Sequence, residues 1–206
     1  MGLFGKKKTD ETEPKTGAGG NGAKDAGGGD KKTGGKDGGY EFNHEKAEKF
    51  FERAATLHEA TNFEFAMTMW LGGLRQDPAS LRGLEGFFKS AGAFMNSGAK
   101  GPSKDTIKLY SGGGNIERYL LSLLEWSARP TEAAYAVRAM QLAGDLGLAE
   151  PAMWIATRAL GAAEREKRPR KDYFLKIMEV LRRFEKVDLA IRAGEGLNYD
   201  YGLVID

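Results

Sequence analysis

Residues 47–80 read AEKFFERAATLHEATNFEFAMTMWLGGLRQDPAS, and this stretch decides the fold class of the chain. Its apolar residues recur at intervals of three and four: Phe50, Ala54 and Leu57, then Phe63, Ala66, Met67 and Trp70. This spacing places apolar side chains on one face of a helix, and Thr61 and Asn62 interrupt it. The stretch therefore predicts two helices, near 43–60 and 63–76, joined by a short turn.

The same periodicity continues along the rest of the chain. It predicts further helices near 79–95, 115–127, 131–146, 149–166, 170–184 and 187–197. Inside the glycine-rich insert 96–114 we expect two turns around one short helix from Lys104 to Tyr110. Asn43, Asn62 and Asn115 are candidate helix caps. No stretch alternates apolar and polar residues as a half-buried strand does, so the sequence predicts an all-α chain of helical hairpins.

The first 39 residues have a different composition. They hold 13 of the 29 glycines, and Met1, Leu3 and Phe4 are their only large apolar side chains. Such a segment buries too little apolar surface to offset an ordering cost of about 1–2 kcal/mol per residue. We therefore expect a disordered arm over 1–39 and a folded domain over 40–206. Leu3, Phe4 and the lysines at 6–8 predict at most a weak membrane contact through residues 1–8.

Several functional classes are disfavoured by composition alone. The chain has no cysteine, which excludes disulfides, a thiolate nucleophile and Cys-ligated zinc. Its net charge of +2 is too small to indicate a nucleic-acid partner. No apolar run approaches the roughly 20 residues that cross a bilayer. The expectation is a soluble, cytoplasmic protein.

Residues 47–80 fill one 34-residue unit that resembles a tetratricopeptide repeat (TPR). The pattern asks for large or aromatic residues at places 4, 11, 17 and 24, and this chain has Phe50, Leu57, Phe63 and Trp70 there. It asks for small residues at places 8, 20 and 27 and for proline at place 32, and this chain has Ala54, Ala66, Gly73 and Pro78. Arg53 departs from the pattern, which expects Leu there. The small residues allow two antiparallel helices to approach closely, and the large ones fill the space around them.

Later units fit the pattern less well. Residues 171–197 match through Phe174, Met178, Leu181, Val187 and Ala190. Residues 133–160 match more loosely, and the helices near 79–95 and 115–127 form a further hairpin interrupted by the insert. The resemblance thus implies a TPR-like α-solenoid of about four antiparallel helix hairpins. A compact helical bundle with one repeat-like hairpin is the alternative.

In TPR proteins, stacked hairpins form a concave face that binds an extended peptide or a partner helix. The resemblance assigns this face to Glu48, Phe51, Ala55, His58 and Glu59 in the first unit, and to Asp172, Leu175, Glu179, Arg182 and Arg183 in the last. Members that bind acidic chaperone tails carry Lys and Asn where this chain has Phe51 and Ala55, which argues against that ligand class. An apolar contact at Phe51 with an acidic anchor at Arg182 and Arg183 is expected instead. Alternatively, Phe51 is core and both arginines are solvated.

No constellation of residues predicts catalysis. His44 and His58 are 14 residues apart, about four turns of one helix, which is too far for a shared metal. No nucleophile, base and orienting group can be assembled, so neither an enzyme nor a cofactor is expected. The basic stretch 165–171 has Tyr173 as its sole nearby candidate for stacking on a base, which argues against nucleic-acid binding.

Two functional hypotheses follow from these observations. The first is a protein–protein interaction adaptor that binds a peptide or partner helix of unknown identity. The second is a structural subunit of a larger multiprotein assembly, in which the faces of the array are permanently covered. The oligomeric state is not fixed by the sequence. The apolar segment 199–206 is expected to cap the last hairpin or to serve as an extended ligand for another protein.

Overall fold

The structure, a computed structural model, describes residues 36, 37 and 40–198. The predicted membrane contact of residues 1–8 and the predicted role of residues 199–206 lie outside the described residues. The predicted disordered arm over 1–39 also lies outside them, except for residues 36 and 37. No helix in the described part is long and apolar enough to cross a membrane.

The described residues are helical except for one short strand pair and the turns, so the predicted all-α class is confirmed. The helices are α1 (His44–Glu59), α2 (Phe63–Gln76), α3 (Leu81–Asn96), α4 (Lys104–Leu109), α5 (Asn115–Ala128), α6 (Ala133–Asp145), α7 (Ala149–Glu164), α8 (Lys171–Arg183) and α9 (Val187–Asn198). Two-residue strands, β1 (Lys36–Asp37) and β2 (Tyr40–Glu41), pair antiparallel just before α1. The sequence did not predict this pair, and β1 lies in the stretch assigned to the arm.

Helix starts test the predicted caps. Asn43 caps α1, because its side-chain oxygen accepts a hydrogen bond of 2.8 Å from the backbone N–H of Lys46. Asn62 precedes α2 but makes no such bond. The prediction for Asn115 is wrong: Gly114 is the N-cap of α5 and Asn115 is already helical. Predicted helix ends otherwise lie within about two residues of the observed ones.

Consecutive helices pack as pairs. The most extensive contacts join α1 to α2 and α6 to α7, and those of α2 with α3 and of α8 with α9 follow. The interrupted pair behaves differently, since α3 packs more closely on α2 than on α5 and also touches α7. α5 in turn packs more extensively on α6 than on α3, so the predicted hairpin of α3 and α5 is the least closely packed of the four.

Phe51 lies where the first three helices meet. A Cβ added to Gly73 in α2 would lie 2.2 Å from the Phe51 ring, and one added to Gly83 in α3 would lie 2.6 Å from it. Both distances are far below van der Waals contact, so only glycine allows α2 and α3 to approach α1 this closely. The spacing of α1, α2 and α3 therefore depends on these two glycines.

The insert is fastened to α2. The backbone N–H of Ser103 donates a 2.9 Å hydrogen bond to Glu64, and the Tyr110 hydroxyl donates one of 3.1 Å to the Thr68 carbonyl. Burial raises the pKa of Tyr110 to about 12, although the nearby Arg75 acts in the opposite direction. The insert thus covers part of α2 and leaves the space between α1 and α3 open.

Candidate functional site

A pocket of about 450 Å³ opens between α1 and α3. We call it the α1–α3 pocket. It is lined by Ala55, His58 and Glu59 from α1, Trp70 from α2, and Arg82, Glu85, Gly86, Lys89 and Ser90 from α3. Two helices therefore form its walls, and an indole ring from a third lies between them.

A buried polar network ties the three helices together at this pocket. The indole N–H of Trp70 donates a 3.0 Å hydrogen bond to the Ser90 hydroxyl, and Nδ1 of His58 lies 3.0 Å from the same oxygen. Ser90 is 1% exposed. The His58 ring also rests against Phe63, with ring centroids 5.3 Å apart. These contacts fix the position of the imidazole.

Gly86 brings α3 directly against the indole. A Cβ at this position would lie 2.5 Å from Cζ2 of Trp70, too close for any side chain. The absence of a side chain at Gly86 therefore lets the Trp70 ring contribute an apolar surface between the two walls.

The charged residues of the pocket are partly committed to other contacts. Arg82 forms an ion pair with Glu48 across the gap between α3 and α1. Glu85 accepts a 3.1 Å hydrogen bond from the indole N–H of Trp154. Glu59 and Lys89 form no ion pair with any residue that the structure describes. They are the two charged groups of the α1–α3 pocket left available for a partner.

Aromatic packing holds the other side of α3. The Phe88 ring lies 4.4 Å from that of Trp126 in α5 and 5.4 Å from that of Trp154 in α7, centroid to centroid. The Arg158 guanidinium lies 3.3 Å from the Trp154 ring centroid. Partial burial lowers the pKa of Arg158, and Glu85 opposes this shift. Contacts on both sides thus fix α3 as a wall of the pocket.

A second pocket, of about 430 Å³, lies on α8; we call it the α8 pocket. It is lined by Leu175, Met178, Glu179, Arg182 and Arg183. Arg183 pairs with Asp145 at 3.1 Å and with Glu179 at 3.8 Å. Arg182 has no ion-pair partner within 36–37 and 40–198. This pocket is built from a single helix and has no aromatic side chain.

The structure divides the predicted interaction residues between these two pockets. Ala55, His58 and Glu59 line the α1–α3 pocket, and Glu48 reaches its edge through Arg82. Arg182 and Arg183 line the α8 pocket together with Leu175 and Glu179. Asp172 instead pairs with Arg170 at 3.0 Å. Within the described residues, these two pockets have no lining residue in common.

Phe51 requires a correction. Its side chain is fully buried, and its ring stacks on Trp70 with centroids 5.5 Å apart. The expectation that Phe51 offers an apolar contact to a partner is therefore wrong. Gly73 and Gly83 admit its ring between α1, α2 and α3, where it forms part of the core.

The contribution of α3 to the pocket was missed. Arg82, Glu85, Lys89 and Ser90 had no assigned role, although a helix was expected there. The signal available in the sequence was the series Gly83, Gly86 and Ser90, whose spacing of three and four puts small residues on one face of a helix. Such a face predicts close approach of a neighbouring helix, and hence a wall beside α1.

No group of three or more acidic or histidine side chains in the described residues is placed to hold a metal ion. Comparison of the chain with known protein families, with curated protein sequences and with solved structures finds no match in any of the three. The TPR resemblance therefore rests on the residues and contacts of this chain itself.

Proposed function

We propose that this chain is a TPR-like helical repeat protein that acts as a protein-interaction adaptor. It binds an extended peptide or a partner helix in the α1–α3 pocket. The observation that carries the proposal is the position of this pocket between α1, the first helix of the first hairpin, and α3, the helix that follows this hairpin and that we assign as the first helix of the next repeat. The concave binding face of a TPR protein lies between such helices.

A contact repeated in the first and last hairpins supports the repeat. The fourth place of the 34-residue pattern packs against a glycine at the twenty-sixth place in both. An added Cβ at Gly72 would lie 3.0 Å from the Phe50 ring, and one at Gly196 would lie 2.5 Å from the Phe174 ring. Two hairpins distant in sequence thus use the same aromatic-on-glycine packing.

The two pockets also correspond in the pattern. Its ninth, twelfth and thirteenth places line both: Ala55, His58 and Glu59 in the α1–α3 pocket, and Glu179, Arg182 and Arg183 in the α8 pocket. Equivalent positions of two hairpins therefore border open depressions. This correspondence supports a common orientation of the two hairpins' outer faces.

The α1–α3 pocket is the better binding site of the two. A chain segment lying between two walls buries more of its surface than one lying on a single helix, and Trp70 adds an aromatic contact at the base. The hydrogen bonds that join Trp70, Ser90 and His58 fix the positions of the Trp70 and His58 side chains before a ligand binds. Fewer side-chain conformations are then lost on binding, which reduces its entropic cost.

A peptide selection tests this function. The full-length protein is immobilised and used to select from a random library of 12-residue peptides, and the affinities of the enriched peptides are measured by fluorescence polarisation. Ala55→Arg places a long side chain in the pocket, and Thr56→Arg, at the next and exposed position, is the matched control. We expect enriched peptides whose binding weakens at least about tenfold with Ala55→Arg only.

Circular dichroism establishes that both variants remain folded. If the library yields no binding peptide, or if both arginine variants bind equally well, the adaptor function of this pocket is contradicted.

A further inference from the structure

We propose that the α1–α3 pocket selects one aspartate or glutamate side chain of the bound peptide, recognised by His58 and Lys89. This inference rests on the proposed adaptor function. It follows from the hydrogen bonds that fix which nitrogen of His58 carries a hydrogen atom.

The Ser90 hydroxyl decides the role of His58. An indole N–H can only donate, so the Ser90 oxygen accepts the hydrogen bond from Trp70. A hydroxyl has one hydrogen to donate, and within the described residues the remaining partner of Ser90 is Nδ1 of His58, at 3.0 Å. The oxygen could accept a second hydrogen bond, but the hydroxyl hydrogen would then be buried without an acceptor, since Ser90 is 1% exposed and has no other partner in the described part of the chain. We therefore assign the hydroxyl as the donor to Nδ1.

A neutral imidazole whose Nδ1 accepts a hydrogen bond carries its hydrogen on Nε2. Nε2 of His58 makes no hydrogen bond with the residues that the structure describes, and the side chain lines the pocket. His58 therefore presents an N–H donor, which requires an acceptor from the partner.

Lys89 supplies the second donor. It precedes Ser90 on α3, lines the same pocket and has no ion-pair partner in the described part of the chain. Arg82 and Glu85 are already engaged by Glu48 and Trp154. Among peptide side chains, those of aspartate and glutamate carry an anionic acceptor for both an imidazole N–H and an ammonium, and their charge is opposite to that of the unpaired lysine.

Glu59 limits the number of acidic residues in the ligand. It follows His58 on α1 and lines the same pocket, so it repels any carboxylate there, and this repulsion increases with each acidic residue that a ligand adds, whereas the two donors serve one carboxylate. The preferred ligand is accordingly one acidic side chain flanked by neutral or basic residues. This mode differs from the recognition of acidic chaperone tails, whose Lys and Asn are replaced by Phe51 and Ala55.

His44, the other histidine of the chain, is an internal reference. Its Nδ1 lies 2.6 Å from a carboxylate oxygen of Asp77, which can only accept. Nδ1 of His44 therefore carries a hydrogen, whereas Nδ1 of His58 does not. The two histidines are expected to differ in a single measurement.

Long-range proton–nitrogen NMR on the ¹⁵N-labelled full chain makes that measurement without any ligand. At pH of about 8.5, where histidine side chains are ordinarily neutral, we expect the hydrogen of His58 on Nε2 and a hydrogen of His44 on Nδ1. A His58 spectrum with the hydrogen on Nδ1 overturns the inference.

Ligand preference is tested with the peptides selected on the wild-type protein. Each acidic residue is changed to its amide, and we expect one such change per peptide to weaken binding at least about tenfold. Lys89→Glu should remove this preference. Lys108→Glu, an equal charge reversal at an exposed position of α4, should preserve it.

The outcomes separate the two proposals. Peptides that compete for the pocket with equal affinity for acid and amide forms overturn the carboxylate preference but leave the adaptor function standing. A library that yields no binding peptide overturns the adaptor function, and the carboxylate preference with it.

Discussion

The hairpins α1–α2 and α8–α9 place similar residues in different environments. At the fifth place of the pattern, Phe51 is fully buried while Leu175 is 42% exposed. α3 follows the first hairpin and covers Phe51 through Gly83, whereas the described residues contain no helix after α9 that would cover α8 in this way. A neighbouring hairpin thus decides whether this place belongs to the core or to the surface.

The same difference separates the pockets of the two hairpins. His58 borders a second helix and joins a buried network with Trp70 and Ser90. Arg182, at the equivalent place of α8, has no ion-pair partner among the described residues and lies on one helix. A pocket with two helical walls therefore forms where a hairpin meets the helix that follows it, whereas the outer face of one hairpin alone provides a single wall.

Truncation at the fifth place should show the largest contrast. Phe51→Ala removes a fully buried ring and is expected to lower the free energy of unfolding by about 3–5 kcal/mol. Leu175→Ala removes a half-exposed side chain and should cost less than about 1 kcal/mol. Urea denaturation of both variants measures the difference, and similar costs would contradict the role assigned to α3.

Enlarging a glycine tests the close approach directly. Gly73→Ala places a Cβ 2.2 Å from the Phe51 ring and should cost about 1–3 kcal/mol of stability through overpacking. Gly92, also helical, has open space around the same position, so Gly92→Ala should be neutral or stabilising by up to about 1 kcal/mol. Thermal denaturation compares them. An unchanged melting temperature for Gly73→Ala would refute the packing at Phe51.

The polar network should also contribute to stability. Ser90→Ala leaves the buried Trp70 N–H without its acceptor, and we expect a loss of about 1–3 kcal/mol in the free energy of unfolding. Ser97→Ala, at an exposed hydroxyl near the end of α3, is the control and should change stability by less than about 0.5 kcal/mol. Equal effects would mean that the network does not join α1, α2 and α3.

The smallest expected effect concerns the insert on α2. The side chain of Glu64 reports on this attachment. The hydrogen bond from the Ser103 backbone N–H lowers the pKa of Glu64 below its ordinary value, and partial burial opposes this shift. A depressed folded-state pKa gives stability that is present above the unfolded-state value and is lost as pH falls through the folded-state value. Stability curves between about pH 6 and 3 should fall less steeply for Glu64→Gln than for the wild type. Identical curves would contradict this attachment.

Much of the fold is predictable from periodicity because amphipathic helices with clear breaks leave a local signal. Both ends of α2 and the cap at Asn43 follow from residues within a few positions. The strand pair at residues 36–41 has no such signal, since each strand spans two residues. The unequal pairing of α3 with α2 and α5 depends on contacts far apart in sequence.

The site is predictable only in part. Ala55, His58 and Glu59 follow from the repeat pattern of α1, whereas the assignment of Phe51 fails because its burial depends on glycines in two other helices. The donor role of His58 depends on Ser90, 32 residues away in the sequence. A pattern within one hairpin carries no information about that contact.

Mapping a selected peptide onto the ¹⁵N-labelled protein by NMR tests the central claim most directly. The three tryptophans give three indole N–H signals, and one of them, Trp70, lies in the α1–α3 pocket. Titration should shift the Trp70 indole signal and the backbone signals of Ala55 and Lys89, while those of Leu175 and Arg182 stay in place. Shifts confined to the α8 pocket, or no shift at saturating peptide, would contradict the assignment of binding to the α1–α3 pocket.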